Sequence, residues 1–170
     1  ENVTEILVDG GNRKWLATSG GGLFLMSEDG TQMIHSFNTE NSPLFSNNIL
    51  SIAMNGNTGE LYIATEKGIM GYKGEATEPK NLFSDVYAYP NPVRPEYTGQ
   101  IAIKGFMEDS EVKITDASGN LVYSAFSVGG QVVWSGNTLS GDRVSSGVYY
   151  VFATSSDGTE KTKTKILIIN

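Results

Sequence analysis

Apolar and polar residues alternate in short runs along this chain, and clusters of glycine, proline, asparagine and aspartate separate the runs. Alternation with a period of two predicts β-strands that bury one face. No segment carries the sustained i, i+3, i+4, i+7 apolar stripe of an amphipathic helix, so we expect very little helix. Seven runs in the second half are predicted as strands: 86–89, 100–106, 111–115, 120–126, 131–135, 147–154 and 161–169. The sequence therefore predicts an all-β protein.

The first half contains one pattern twice. Residues 3–24 are repeated at residues 49–70, with an offset of 46 or 47 positions. Repeats of this length are typical of β-propellers, in which each blade is a small, twisted antiparallel sheet. We therefore interpret residues 1–74 as two C-terminal blades of a larger propeller. Trp15 and Tyr62 occupy equivalent positions, and each is expected to pack between neighbouring blades.

Two turns of the repeat share a hairpin signal. Asp9-Gly10 and Asn55-Gly56 stand at equivalent positions of the two copies. A type I′ turn requires positive φ at both central residues, which glycine, asparagine and aspartate tolerate best. We therefore predict type I′ turns centred on these pairs.

The repeat resembles the two-component-regulator propeller family over about residues 3–74. In the second copy the matching residues are Leu44, Asn48, Ile49, Ile52, Gly59, Leu61, Tyr62, Ile63, Ala64, Thr65, Gly68 and Ile69. Two blades are too few to close a ring, which typically needs four to eight. The resemblance therefore implies further blades outside this sequence.

A second domain is predicted after the repeats. Residues 73–85 are polar and contain glycine and proline, as interdomain linkers do, and we place the linker at residues 75–85. Residues 86–170 contain the seven predicted strands with turn clusters between them. This spacing is typical of an immunoglobulin-like β-sandwich.

The second half also carries sequence landmarks in a fixed order. They are Tyr89-Pro-Asn-Pro-Val93, Val112-Lys-Ile-Thr-Asp116, Gly119-Asn-Leu-Val-Tyr123, Gly130-Gln-Val-Val-Trp-Ser-Gly136, Gly147-Val-Tyr-Tyr-Val151 and Lys165-Ile-Leu-Ile-Ile169. This order resembles the C-terminal sorting domain of type IX secretion and its relative, the FlgD-type immunoglobulin-like module. The resemblance spans about residues 86–170.

The composition excludes several kinds of function. The chain of 170 residues has 12 Lys and Arg against 19 Asp and Glu, a formal net charge of −7, and so lacks the basic surface that nucleic-acid binding requires. It has no cysteine, which excludes disulfides, thiolate nucleophiles and cysteine metal sites. No apolar run approaches the roughly 20 residues of a transmembrane helix. Because the chain enters a repeat already under way at Glu1, we expect it to be a fragment of a longer protein.

No catalytic, cofactor or metal site is expected. His35 lies in a predicted strand without a serine elbow or metal-ligand spacing nearby, which favours a structural or surface role. Ser19-Gly-Gly-Gly22 lacks the lysine and helix of a phosphate loop, so a hairpin is favoured. The turns at Asp9-Gly-Gly-Asn12 and Asn55-Gly-Asn57 offer oxygens for calcium but lack spaced carboxylates. Trp134 is expected in the core rather than stacked on a sugar.

One pattern near the end of the chain suggests a binding surface. Lys161, Lys163 and Lys165 alternate with threonines, so their side chains share one face of the last predicted strand. Tyr149 and Tyr150 on the preceding strand point to opposite sides, and we take Tyr150 as the exposed aromatic residue. The functional interpretation is a docking face for a secretion partner. The structural alternative is a solvated strand face whose lysines protect a sheet edge.

The combination of regulator-type repeats and a sorting-type domain is similar to a cell-surface component of the type IX attachment complex of Bacteroidetes. The resemblance implies a non-enzymatic protein that is exported through the periplasm and resides at the outer membrane. It implies as partners the outer-membrane secretion shuttle or the sortase-like protease of the complex, with lipopolysaccharide as a further candidate. Two alternatives remain: a secreted cargo protein with a cleavable sorting signal, and the glycan-sensing periplasmic part of a hybrid two-component regulator.

Overall fold

Antiparallel sheets make up the ordered framework of the chain. The computed structural model describes residues 2–170, and within that range it contains strands and no helix. The chain divides into two compact units, Glu1–Glu78 and Pro79–Asn170. The prediction of an all-β protein is confirmed.

The first unit contains two antiparallel sheets. The first sheet consists of β1 (Asn2–Val8), β2 (Lys14–Ser19), β3 (Leu23–Met26) and β4 (Met33–Phe37), and the second of β5 (Ile49–Asn55), β6 (Glu60–Thr65) and β7 (Gly68–Lys73). In both sheets each strand pairs with its neighbour along the chain. Each copy of the sequence repeat therefore forms one meander.

Equivalent strands of the two sheets bury opposite faces. In β2, Trp15 and Ala17 are buried, whereas in β6 the buried residues are Leu61 and Ile63. All four belong to one core, so the sheets stack head to tail. Tyr62, the equivalent of Trp15, is 46% exposed. Its side chain points away from the shared core, so no sheet among the described residues covers it, and the expected packing against a neighbouring blade stays a prediction.

The predicted type I′ turns are also wrong. Positive φ occurs at Asn12 (55°) in the first turn and at Gly59 (74°) in the second, and not at Gly10 or Gly56. The turns are longer than two residues, so the left-handed position falls later. Gly10 is needed for a different reason, since a Cβ there would lie 2.1 Å from the backbone oxygen of Thr77.

The segment predicted as a linker, residues 75–85, is packed rather than free. Ala76 and Thr77, at the end of the first unit, are buried. Phe83, near the start of the second unit, meets Phe106 edge to face with the ring centroids 6.3 Å apart. Apolar residues inside a polar stretch thus belong to the units on either side of it.

The second unit contains one four-stranded and one three-stranded antiparallel sheet. The strands are β8 (Tyr87–Tyr89), β9 (Ile101–Lys104), β10 (Glu111–Thr115), β11 (Leu121–Phe126), β12 (Gln131–Trp134), β13 (Gly147–Thr154) and β14 (Lys161–Ile168). The sheet orders are β11-β10-β13-β14 and β12-β9-β8. Each of these strands lies within a run predicted from the sequence.

Both sheets of the second unit contribute to one core. Ile103 and Trp134 of the three-stranded sheet pack in the same cluster as Val151 and Ile166 of the four-stranded sheet. Trp134 is 1% exposed, and its Nε1 donates a hydrogen bond to the oxygen of Asn137 at 2.7 Å. The expectation of a core position for Trp134 is confirmed.

Candidate docking surface

The predicted docking residues lie on the outer face of the hairpin formed by β13 and β14. Side chains alternate along β13, so that Tyr149 is 6% exposed and Tyr150 is 40% exposed. On β14, Lys161, Lys163 and Lys165 are all exposed. The structure therefore brings the aromatic residue and the three lysines onto one surface.

Strand register sets which of these side chains touch. Tyr150 lies directly opposite Lys165, and Phe152 lies directly opposite Lys163. The rings of Tyr150 and Phe152 are 6.5 Å apart between centroids. Together with Thr164 they line a surface groove. We call Tyr150, Phe152, Lys163 and Lys165 the aromatic–lysine groove.

The inner neighbour Tyr149 holds the other side of β13 in place. Its hydroxyl donates to the oxygen of Ser145 at 2.8 Å, and its ring lies 5.7 Å from that of Trp134. Burial, and then the charge of Asp116, raises the pKa of Tyr149. Tyr149 is thereby fixed in the core, which leaves Tyr150 facing outward.

The surface is locally cationic within an acidic chain. Neither β13 nor β14 contains Asp or Glu, although the whole chain carries a net charge of −7. Among the described residues, Lys161, Lys163 and Lys165 form no salt bridge, whereas the nearby Lys113 pairs with Glu111 at 2.7 Å. The three lysines are therefore uncompensated by the strands that carry them.

β14 is an edge strand whose second half is covered by another segment. The side chain of Asn91 donates to the oxygen of Lys165 and accepts from the amide of Leu167, both at 3.0 Å. The amide of Val93 donates to the oxygen of Leu167 at 2.8 Å. The edge of the second half of β14 is therefore covered, whereas no segment among the described residues pairs with the edge of its first half.

Two comparisons relate the chain to known proteins. Residues 87–170 match the family described as the secretion system C-terminal sorting domain. Among solved structures, the chain is similar to PorZ, an essential bacterial surface component of the type IX secretion system of the human oral bacterium Porphyromonas gingivalis, with 42% sequence identity and a TM-score of 0.64. The chain is related to type IX secretion.

The similarity to PorZ covers both units of this chain but only part of PorZ. It extends over 99% of this chain and 23% of the PorZ chain. No match was found among curated proteins. The relation to type IX secretion that the landmarks of the second half imply is confirmed.

His35 lies in a polar cluster of the first unit. Its Nε2 is 3.8 Å from Oε2 of Glu75, and the same carboxylate oxygen is 3.7 Å from the guanidinium of Arg13. The imidazole ring also contacts Phe37, with the ring centroids 5.6 Å apart. This half-buried position corresponds to the structural or surface role expected for His35. Within residues 2–170, no group of three or more His, Cys, Asp or Glu side chains is arranged to hold a metal ion.

Membrane crossing by a helix has no candidate in this structure. The described residues include no helix that is long and apolar enough to span a bilayer.

Sequence reasoning missed two residues of the docking surface. Phe152 was not singled out, although the alternation that exposes Tyr150 also exposes a residue two positions later. Asn91 stands out in the sequence only as part of the run Tyr89-Pro-Asn-Pro-Val93, because nothing in the sequence shows that its side chain reaches β14. The first could have been found from the strand period, and the second only from the fold.

Proposed function

We propose that this chain is part of a PorZ-like, non-enzymatic component of the type IX attachment complex at the cell surface. The supporting observation is the extent of the similarity, which is 42% identity over 99% of the chain. A cargo protein that shared only a sorting domain with PorZ would be similar to it only within about residues 87–170. The first unit is included here, and this favours a relative of the secretion machinery itself.

The first unit is proposed to be two blades of a propeller. Its two sheets stack head to tail, so each has one face that the other leaves uncovered. The uncovered face of the first sheet exposes Ile6 (60%) and Val8 (54%), and that of the second exposes Tyr62 (46%) and Ile69 (72%). In repeat arrays such faces are covered by the neighbouring repeats. This supports further blades on both sides.

The second unit is proposed to be a seven-stranded immunoglobulin-like sandwich that acts as a docking module. Its four-stranded and three-stranded sheets share one core, as the two sheets of such sandwiches do. The proposed partners are the outer-membrane secretion shuttle or the sortase-like protease of the complex, with lipopolysaccharide as a further candidate. The proposed location is the outer membrane, reached through the periplasm.

The second candidate is a secreted cargo protein with a cleavable sorting signal. The match of residues 87–170 to the sorting-domain family favours it, because such domains direct export. The two candidates differ in the fate of the second unit, which a resident component keeps and a cargo protein loses.

Affinity purification of the full-length protein from outer membranes tests the proposal. A resident component is expected to bring the secretion shuttle with it, and mass spectrometry is expected to find peptides from β13 and β14 in the mature protein. Consistent absence of the shuttle would overturn the attachment-complex role. A mature protein that ends near Phe83 would establish the cargo alternative.

A further inference from the structure

The first half of the β14 edge has no strand partner among the described residues. Residues 91–93 pair with its second half, where the amide and oxygen of Leu167 point to the edge. Alternate residues of a strand direct their backbone groups to the same side, so those of Lys161 and Lys163 point to this edge too. Within residues 2–170, the only strand that pairs with β14 lies on its other side. Two consecutive edge positions are therefore available for strand pairing.

The same residues present their side chains on the outer face. A strand added at the open half would place every second side chain on that face, directly opposite Lys161 and Lys163. Opposite charges in such positions attract, and like charges repel. The spacing of the lysines thus matches an extended segment with acidic residues at alternate positions.

We propose that the open half of the β14 edge binds an extended acidic segment of a protein partner as an added strand. Backbone pairing with Lys161 and Lys163 supplies affinity, and carboxylates opposite the lysines supply register. This inference rests on the proposed docking role of the second unit and names the recognition chemistry of that role.

The aromatic–lysine groove strengthens this charge recognition. Phe152 is 44% exposed and Tyr150 is 40% exposed, and both lie beside lysines on the neighbouring strand. A segment bound over these rings would exclude water near the lysines, and a lower local dielectric makes their attraction to carboxylates larger. The groove also offers a surface for apolar atoms of the partner's side chains.

Pairing of β14 with β14 of a second copy is disfavoured by the same charges. Such an arrangement sets lysines opposite lysines across the new strand pair, which is destabilising. Lysines on an edge also discourage pairing with uncharged strands. An acidic strand, in contrast, places carboxylates opposite the lysines, so the edge charges then favour pairing.

A direct binding measurement tests the inference on the whole chain. The probe is a synthetic peptide about eight residues long, in which glutamate alternates with threonine and valine. The control peptide has the same composition, but its glutamates are consecutive. Fluorescence anisotropy is expected to show tighter binding of the alternating peptide, and the difference is expected to shrink as salt screens the charges. Amide hydrogen exchange of Lys161 and Lys163 is expected to slow on binding.

Two substitutions at Lys163 separate charge from backbone pairing. Lys163→Glu is expected to weaken the alternating peptide about tenfold through cross-strand repulsion. Lys67→Glu, an exposed position in the first unit, makes the same change in net charge and is expected to have no effect. Lys163→Pro removes the edge N–H without touching the bonds to β13, which edge strands tolerate. It is expected to weaken binding more than Lys163→Gln, which keeps that N–H.

The outcomes separate this inference from the proposed function. Equal binding of the two peptides, equal weakening by Lys67→Glu, or unchanged exchange at Lys161 and Lys163 would overturn strand addition. A preference for an anionic polysaccharide over the peptide, or peptide-independent dimers in sedimentation, would also overturn it. Membrane purification can succeed while peptide binding fails, in which case the docking role stands and the edge is the wrong surface. If peptide binding succeeds and membrane purification fails, the edge chemistry stands and the attachment-complex role is wrong.

Discussion

Asp29 and Asp157 form the same set of hydrogen bonds, one in each unit of the chain. Each carboxylate accepts the hydroxyl of the serine two residues before it, at 2.6 and 2.5 Å. Each also accepts the amide of the threonine two residues after it, at 3.0 Å in both turns. The two turns share the sequence Ser-x-Asp-Gly-Thr. One short motif thus closes hairpins in two otherwise different units.

These turns are expected to weaken in acid. The Ser27 hydroxyl, followed by the amide and hydroxyl of Thr31, lowers the pKa of Asp29 from 3.8 to about 2, and equivalent groups lower the pKa of Asp157. The folded state prefers the charged carboxylates, so their contribution is present above about pH 4 and is lost as the pH falls towards 2. We expect calorimetry to show a smaller drop in Tm across this range for the Asp29→Asn/Asp157→Asn double variant. An equal drop in both proteins would contradict this.

The origin of the lowered pKa can be tested separately. Ser27→Ala removes the hydrogen bond with the largest effect on Asp29. Carbon-13 NMR titration of the carboxyl group is expected to show the pKa of Asp29 moving up towards 3.8. The matched change at the other turn, Ser155→Ala, is expected to leave the pKa of Asp29 unchanged and to raise the pKa of Asp157.

Close backbone approach should make Gly10 intolerant of a side chain. Because a Cβ at Gly10 would lie 2.1 Å from the Thr77 oxygen, we expect Gly10→Ala to lower the free energy of unfolding by about 1–3 kcal/mol. Gly71 has no atom within 4 Å of its added Cβ and no positive φ. Gly71→Ala is therefore expected to raise stability by about 0.5 kcal/mol. Urea denaturation measures both, and similar losses at the two positions would refute the steric argument.

The buried ion pair of the first unit should matter far more than an exposed one. Arg13 and Asp9 are 8% and 5% exposed, with Nε donating to Oδ2 at 2.9 Å. Arg13→Met leaves the carboxylate buried without its partner, and we expect a loss of about 3 kcal/mol. The exposed pair of Lys113 and Glu111 serves as the control, since Lys113→Met should cost less than about 1 kcal/mol. Urea titration of both variants gives the comparison, and equal losses would argue against it.

The two tryptophans are expected to respond differently to the same substitution. Both are fully buried, but Nε1 of Trp134 donates to the oxygen of Asn137, whereas Nε1 of Trp15 has no partner among the described residues. Replacement by phenylalanine removes similar volume at each site. Trp134→Phe should therefore cost about 1 kcal/mol more than Trp15→Phe. Thermal unfolding would contradict this assignment if Trp15→Phe proved the more costly.

Local periodicity was enough to predict the strands and one face of the docking surface. The run predicted at 147–154 coincides with β13, because a short run of β-branched and aromatic residues favours a strand. The period of a strand then puts Tyr149 and Tyr150 on opposite faces. These properties depend on neighbours in the chain, which the sequence displays directly.

Features that depend on distant contacts could not be predicted in this way. The left-handed residue of the first turn is Asn12 and not Gly10, since turn length depends on the register that the strands adopt when they pack. Glu75 was assigned to a linker, yet its carboxylate lies beside Arg13 and His35. Asn91 reaches β14 across more than seventy residues of sequence. Each of these needs the fold before its role is visible.

The pairing of residues 91–93 with the end of β14 also has a mechanical consequence. The two segments run in the same direction, and four hydrogen bonds join them, from the side chain of Asn91 and the backbone of Val93. Tension applied to the chain before Asn91 and after Ile169 loads these bonds in shear. All four then share the load and must rupture together, whereas a peeling force would break them one at a time. The second unit is thus built to resist stretching along its terminal strands.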